Sequence, residues 1–331
     1  MRMRATAIAH PNLALVKYWG KRDIRLNLPA AGSLSVTLSG LRTQTSVAFI
    51  PGQARDAVIL NGRAVWGPKL DRIVRFLDHL RRLAGTDLRA TVNTENDFPT
   101  AAGLASSSSG FAALAAAGAA ALGLELTAPE LSVLARLGSG SAARSIHGGF
   151  VEMLPGVMPD GSDSHAVPVA YENHWDLRCL ILLTAKGEKS IGSTEAMNHT
   201  ASSSPYYRAW VESVPHDLAL AREAIRNRDM KTLAVVAERS CLRMHASAAA
   251  ADPGILFWNG TTIELIHHIR KLRSDGFPVF FTIDAGPHVK VFCSASEMSA
   301  VTQSIRSVFS GDIIVARPGP GVYLKDEPER R

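Results

Sequence analysis

The chain has 331 residues, 46% of them hydrophobic, and its 36 Lys and Arg against 30 Asp and Glu leave a net charge of +6. Such a length can bury a substantial core as one large domain or two closely packed ones, which excludes a disordered chain. The basic residues are scattered through mixed stretches such as Lys69 to Arg82, which argues against a nucleic-acid surface, while the small positive excess suits a cleft that collects phosphates and carboxylates.

From the N-terminus, the first apolar stretch is interrupted by His10, Pro11 and Asn12 before reaching signal-peptide length, and no later run approaches a membrane span. Asn61-Gly62 predicts a tight hairpin between two short strands within Ala57 to Trp66. Leu70, Ile73, Val74, Leu77 and Leu80 recur at helical spacing between Pro68 and Gly85, so an amphipathic helix with a core-facing stripe is expected. A strand from about Leu88 to Asn93 leads into a loop with Asp97-Phe98-Pro99, then a small-residue run that turns Ala-rich and helical through Leu122. Thr127 and Glu130 form a capping-box pair with Pro129 in the first turn of a helix ending at Gly138.

Leu177 to Thr184 reads as a buried strand, followed by a polar loop through Ser202 to Pro205. Helices are expected from about Tyr206 to Arg226, Met230 to His245 and Thr262 to Ser274. Val279 to Ile283 reads as a strand entering the turn Asp284-Ala285-Gly286-Pro287, with a last helix near Glu297 to Phe309 and a strand near Ile313 to Ala316. Strands and helices mix without strict alternation, which predicts an α+β fold, with a soft division near residue 175 into units 1–175 and 176–331.

Cys179, Cys241 and Cys293 are odd in number and form no CxxC pair, so neither a disulfide framework nor a zinc knuckle is indicated and a reducing cytoplasm fits. His147, His165, His174 and the pair His267-His268 show no metal-ligand spacing and read as structural or surface residues. No Walker A pattern exists, since Gly20-Lys21 is followed by Arg22 and lacks the preceding glycine. Gly138-Ser139-Gly140-Ser141-Ala142-Ala143 matches a loose GxGxxA pattern, but a helix precedes it where a dinucleotide fold requires a strand.

The segment Pro99 to Gly110 places small residues and hydroxyls immediately before a helix. Small side chains let backbone N–H groups approach phosphate, the helix N-terminus adds positive potential, and serine hydroxyls can bind phosphate or Mg²⁺. Hydroxyls at such a place also serve as ordinary helix caps.

The order of residues here resembles the phosphate loop of the galactokinase, homoserine kinase, mevalonate kinase and phosphomevalonate kinase superfamily. Within it, four stretches resemble the diphosphomevalonate decarboxylases: Asn12 to Asp23, Asp97 to Gly110, Gly138 to Phe150, and Phe281 to Pro287. Weaker likeness at Lys189 to Met197 and at Arg243-Met244-His245 extends the match over nearly the whole chain. The resemblance implies a two-lobed fold, an N-terminal lobe like domain 2 of ribosomal protein S5 packed on a ferredoxin-like C-terminal lobe with a deep cleft between. It implies ATP and Mg²⁺ as cofactors, mevalonate 5-diphosphate as substrate, and a cytoplasmic homodimer. A decarboxylase of the 5-phosphate and a mevalonate-type kinase without decarboxylation remain as alternatives. So does, remotely, a non-catalytic phosphate- or RNA-binding module, for which no basic stripe with interleaved aromatics is visible.

By the same resemblance Asp284 orients and deprotonates the substrate hydroxyl, although an Asp in a Gly-Pro turn can also merely close it. Lys17 lies near the reacting centre and Arg144 grips the substrate carboxylate, a task its planar fork suits. Tyr18, Lys21, Ser139, Ser141 and Ser193 are expected on the diphosphate; Gly103, Leu104, Ala105, Ser106, Ser107, Ser108 and Lys189 on the ATP phosphates; Thr94 near adenine. Ser107 is also the expected Mg²⁺ contact. Without the motif, Lys17 and Lys21 four apart beside Tyr18 and Trp19 would suggest a helix face. The chain departs from the family pattern at Ala31 and Gly32, where Asn and Ser are usual, and at His288, where Asn usually follows the turn.

Overall fold

The computed structural model describes residues 3–98, 106–185, 187 and 191–325. The chain begins with β1 (Arg4–Ala9), β2 (Asn12–Val16), β3 (Lys21–Asp23), β4 (Leu28–Pro29), β5 (Ser33–Ser39), β6 (Thr43–Ile50), β7 (Ala57–Leu60) and β8 (Arg63–Ala64). There follow α1 (Gly67–Ala84), β9 (Arg89–Asn96), α2 (Ser106–Leu122), α3 (Ala128–Gly138), a 3-10 segment (Gly140–Ile146), β10 (Phe150–Met153) and β11 (Ala166–Ala170). The second half carries β12 (Leu177–Leu182), α4 (Ser193–Ser203), α5 (Tyr207–Asn227), α6 (Met230–Ala249), α7 (Gly260–Ser274), β13 (Phe280–Thr282), β14 (Val289–Ser294), α8 (Met298–Arg306), β15 (Ile313–Pro318) and β16 (Tyr323–Leu324).

Two large sheets organise these elements. One has the order β16-β1-β6-β9-β7-β8; the other runs β11-β10-β5-β15-β12-β14-β13, with β2 added to β5. The pairing of β5 with β15 stitches the second sheet across the two halves of the sequence. Apart from the parallel β7–β9 contact the pairings are antiparallel, as an α+β fold requires. The Ala-rich α2 packs on the first sheet with Phe76, Leu77 and Leu80 of α1, forming one core; a second surrounds β2, β5, α5 and α6, and a third lies under β12 to β14.

The hairpin at Asn61-Gly62 and the helix closed by Gly85 form as expected, and the Thr127/Glu130 capping box is present. The described residues up to Ile50 carry strands and no helix, and Lys17 follows β2 while Lys21 opens β3. The strands β1, β2 and β5 are buried nearly throughout, so no polar–apolar alternation marks them. The polar loop expected through Ser202 is instead the helix α4. Its hydroxyls are satisfied on the helix itself: Thr200 Oγ1 donates to Ala196 O at 2.7 Å and Ser203 Oγ to His199 O at 2.8 Å, the back-bonding that lets hydroxyl residues remain helical.

Candidate active site

A cleft of about 1750 Å³ opens between α1, the start of α2 and the 3-10 segment on one side and α4 and the 253–256 segment on the other. Its floor is built from two strand ends. Lys17 follows β2 and Asp284 follows β13, and Lys17 Nζ donates to Asp284 Oδ1 at 2.6 Å and to Ala14 O at 2.8 Å. The lysine side chain is 2% exposed, the aspartate 25%, because the carboxylate reaches into the cleft. Lys290 of β14 approaches the other oxygen, Oδ2, at 3.9 Å. Burial pushes the Asp284 pKa up, but Lys17, Lys290 and Arg144 outweigh it and hold the carboxyl below its ordinary value.

Arg144 stands on the 3-10 segment, buried, with every arm engaged. Its Nε donates to Ser35 Oγ at 2.9 Å and Nη1 to Ser33 Oγ at 2.6 Å, while Nε and Nη2 both reach Asn12 Oδ1. Asn12 is fixed in turn through its Nδ2, which donates to Ser141 O and Ser145 Oγ at 2.8 Å each. The guanidinium lies 5.9 Å from the centre of the Tyr18 ring. With no carboxylate in contact among the described residues, burial lowers its pKa to about 10, still far above neutrality, so it is a pre-aimed cation. Tyr18 lies against Gly140, where a Cβ would collide with the tyrosine hydroxyl. That hydroxyl is buried and finds no hydrogen-bond partner among the described residues.

The outer half of the cleft is a different environment. Lys21 Nζ donates to Asn27 Oδ1 at 2.6 Å, and burial followed by repulsion from Arg72 pushes its pKa down to about 8. Arg72 of α1 donates twice to Gly138 O, at 2.8 and 3.2 Å. Lys69 and Arg72 line the same space as Ser106, Ser107, Ser139, Ser141 and Ser193. Ser139 Oγ lies 3.4 Å from Ser107 Oγ and 3.3 Å from Ser141 Oγ, so three hydroxyls form one cluster.

The fold therefore brings Asp284, Lys17, Arg144, Tyr18, Lys21, Ser139, Ser141, Ser193, Ser106 and Ser107 to a single cleft. Two expected residues stand apart. Ser108 is buried and accepts from the Asn12 backbone at 3.3 Å, a brace between α2 and β2. Thr94 lies on β9, where its hydroxyl meets Thr45 Oγ1 at 2.8 Å, and it does not line the cleft. Gly103, Leu104, Ala105 and Lys189 fall outside the described residues.

Sequence reading missed Lys69, Arg72, Asn12 and Lys290. The two cations of α1 occupy the polar face of a helix read only for its apolar stripe, and a polar residue repeated on that face was the available signal. None of Ala31, Gly32 and His288, the departures from the family pattern, lines the cleft. A Cβ on Gly32 would lie 2.7 Å from the Leu218 side chain and 3.1 Å from Met153 O, so the space is already filled. His288 is buried and accepts from the Thr184 backbone N–H at 3.1 Å. No group of three or more His, Cys, Asp or Glu among the described residues is placed to hold a metal, the three cysteines are free and buried, and no described helix is long and apolar enough to cross a membrane.

This α+β fold and its cleft define the class, the superfamily of small-molecule kinases and their decarboxylase relatives. The backbone matches mevalonate diphosphate decarboxylase from Staphylococcus aureus with a TM-score of 0.94 at 38% identity, over 98% of this chain and 99% of that one. It matches the structure of MDDEF in complex with MVAPP, AMPPCP and magnesium with a TM-score of 0.93 at 39% identity, over 98% and 99%. Residues 9–166 fit the model of the diphosphomevalonate decarboxylase-like N-terminal domain and residues 179–317 that of the mevalonate 5-diphosphate decarboxylase C-terminal domain. The diphosphomevalonate decarboxylase of Aspergillus fumigatus is 39% identical over 92% of this chain and 80% of its own length. The chain belongs to the diphosphomevalonate decarboxylase family.

Proposed function

We propose that this enzyme uses ATP to phosphorylate the tertiary 3-hydroxyl of mevalonate 5-diphosphate and then releases CO₂ and phosphate, yielding isopentenyl diphosphate and ADP. The observation that carries the reading is the Asp284 carboxylate, held between two lysines at the floor of the cleft that Arg144 and the serine cluster also line. A related structure at 39% identity holds MVAPP, AMPPCP and magnesium together.

Each residue's part follows from its setting. Asp284 accepts the hydroxyl proton, and its lowered pKa keeps it unprotonated at neutral pH. Lys17 fixes the carboxylate in place. Arg144, held by Ser33, Ser35 and Asn12, presents its guanidinium to the substrate carboxylate, which leaves as CO₂ while its bonding electrons form the alkene. Tyr18, Lys21, Ser139, Ser141 and Ser193 bind the diphosphate, with Arg72 and Lys69 adding charge at the same end.

Ser106 and Ser107 present hydroxyls to the cleft at the N-terminus of α2, a donor set that fits ATP phosphates and a magnesium ion resting mainly on those phosphates. When bound, ATP supplies the transferred phosphoryl group and the metal neutralises its charge. The division near residue 175, with ATP held mainly by the first part and the catalytic carboxylate supplied by the second, belongs to the same proposal. So does a cytoplasmic homodimer, whose second half sedimentation equilibrium would read.

The test is ATP turnover with mevalonate, its 5-phosphate or its 5-diphosphate, measuring ADP and CO₂ together. Stoichiometric ADP and CO₂ with the diphosphate alone is the expected result. ADP without CO₂ would make the protein a kinase, and turnover preferring the monophosphate would overturn the substrate assignment.

A further inference from the structure

Asp284 is held from two sides, by Lys17 at one carboxylate oxygen and by Lys290 at the other. Lys290 lies on β14, paired on one side with Ile181 of β12 and on the other with Thr282 of the edge strand β13, so both sides of its backbone are covered. Its side chain is 3% exposed and does not line the cleft. Among the described residues its ion-pair partner is Asp284.

A buried ammonium inside a sheet is far costlier than an apolar side chain of equal size unless a counter-charge needs it. The other groups facing this spot are Lys17 beyond β2, Arg144 on the 3-10 segment, Cys179 on β12, and Cys241 and His245 on α6. Burial pushes the Cys179 thiol up, the Cys241 thiol to about 11 and the His245 imidazole down to about 3, so all three are neutral near pH 7. Asp284 is the anion left for Lys290 to face.

We propose that Lys290 is a positioning residue of this site that acts through Asp284, restraining the second carboxylate oxygen and keeping the carboxyl ionised while Lys17 grips the first. Lys17 borders the cleft and is exposed to the field of incoming anions, whereas Lys290 stands behind the carboxylate, out of their reach. The pair thus survives substrate binding from the rear. The inference rests on the reading of Asp284 as proton acceptor.

An opposite charge within about 4–6 Å lowers an Asp pKa by roughly one to three units. Removing Lys290 therefore raises the Asp284 pKa, and since only the unprotonated form accepts a proton, activity is lost first at low pH. The experiment measures kcat/KM of Lys290→Met, Lys290→Gln and Lys290→Arg from pH 8 to pH 5, each as a ratio to the wild type so that ionisation of the substrates cancels. The ratio for Met and Gln should fall as the pH drops, by about twofold or more by pH 5, whereas Arg, which keeps the cation, should give a flat ratio.

A pH-independent ratio for the neutral variants overturns the inference, and so does an Arg variant with the same pH-dependent loss. Asp284→Asn separates the two levels: near-normal turnover there sinks the proton-acceptor reading itself, whereas an inactive Asp284→Asn beside a flat Lys290→Met ratio sinks only the role of Lys290. Where the neutral variants fail to fold, ¹⁵N-lysine NMR of the wild type, assigned with Lys290→Arg, gives the answer directly. A charged Lys290 at pH 7 supports the pairing, and a neutral amine refutes it.

Discussion

The two ends of the cleft handle positive charge in opposite ways. At the floor, Lys17 and Lys290 are buried and share one carboxylate, and Arg144 is clamped by Asn12, Ser33 and Ser35. At the outer end, Lys21 and Arg72 donate only to neutral oxygens among the described residues, an Asn side chain and the Gly138 carbonyl. The floor is fixed in geometry before any ligand arrives, its carboxylate already paired and its guanidinium already aimed, which suits chemistry that depends on preorganisation. The outer cations meet no carboxylate among the described residues, and burial first, then repulsion from Arg72, depresses the Lys21 pKa. One end is organised to react and the other to bind.

The sharpest way to break that contrast is at the floor. Asp284→Asn keeps the shape but cannot accept a proton, so kcat should fall by about 10²- to 10⁴-fold with the fold intact by circular dichroism. Retained turnover would move the proton acceptor elsewhere. Next in size is Arg144→Lys, which preserves charge but cannot satisfy Ser33, Ser35 and Asn12 at once. A loss of roughly 10- to 100-fold in kcat/KM is expected, with ATP affinity unchanged in equilibrium binding.

Gly140→Ala tests the boundary between the two ends, since its Cβ would displace the Tyr18 hydroxyl. The expected outcome is a KM for the diphosphate substrate raised about tenfold and a stability loss of about 1–3 kcal/mol in urea unfolding, the usual range for overpacking. Unchanged KM would remove Tyr18 from the binding end.

The outer end also has its own pH signature. Lys21 is charged below its pKa of about 8 and neutral above it, so diphosphate binding should be intact at pH 7 and weaken as the pH rises past about 8. The upper limb of kcat/KM should flatten in Lys21→Met, which starts low and stays low. If the wild-type limb persists unchanged in that variant, another group is titrating.

The same contrast explains what could be read from the chain alone. The floor was legible because its residues sit in ordered motifs: Lys17 beside Tyr18, Asp284 in its Gly-Pro turn, Arg144 after the Gly-Ser run. The partners that make those residues work were not. Lys290 and the Asn12–Ser33–Ser35 clamp come from strands buried on both faces, where residue order carries no facing signal, and only sheet register places Lys290 behind Asp284. At the outer end, Arg72 was hidden by the opposite circumstance, an exposed helix face where a cation is ordinary until the fold turns it toward a cleft. Helices with caps and clear period, such as α1 and α3, were read nearly to the residue, whereas α4 was not, because its many hydroxyl residues favour loops unless they bond back to their own turn.

The smallest predicted effect falls outside both ends. Thr94 was expected near adenine, yet its hydroxyl is spent on Thr45 across the β6–β9 pair and the residue borders neither the floor nor the serine cluster. Thr94→Val keeps the shape and the strand preference and removes only that bond. The KM for ATP should change by less than about twofold, while stability drops by about 0.5–1.5 kcal/mol, the net worth of one hydrogen bond between neutral groups. An ATP KM raised tenfold at unchanged stability would instead bring β9 into the nucleotide site, and would extend the binding end beyond the cleft wall that α1 and α2 now define.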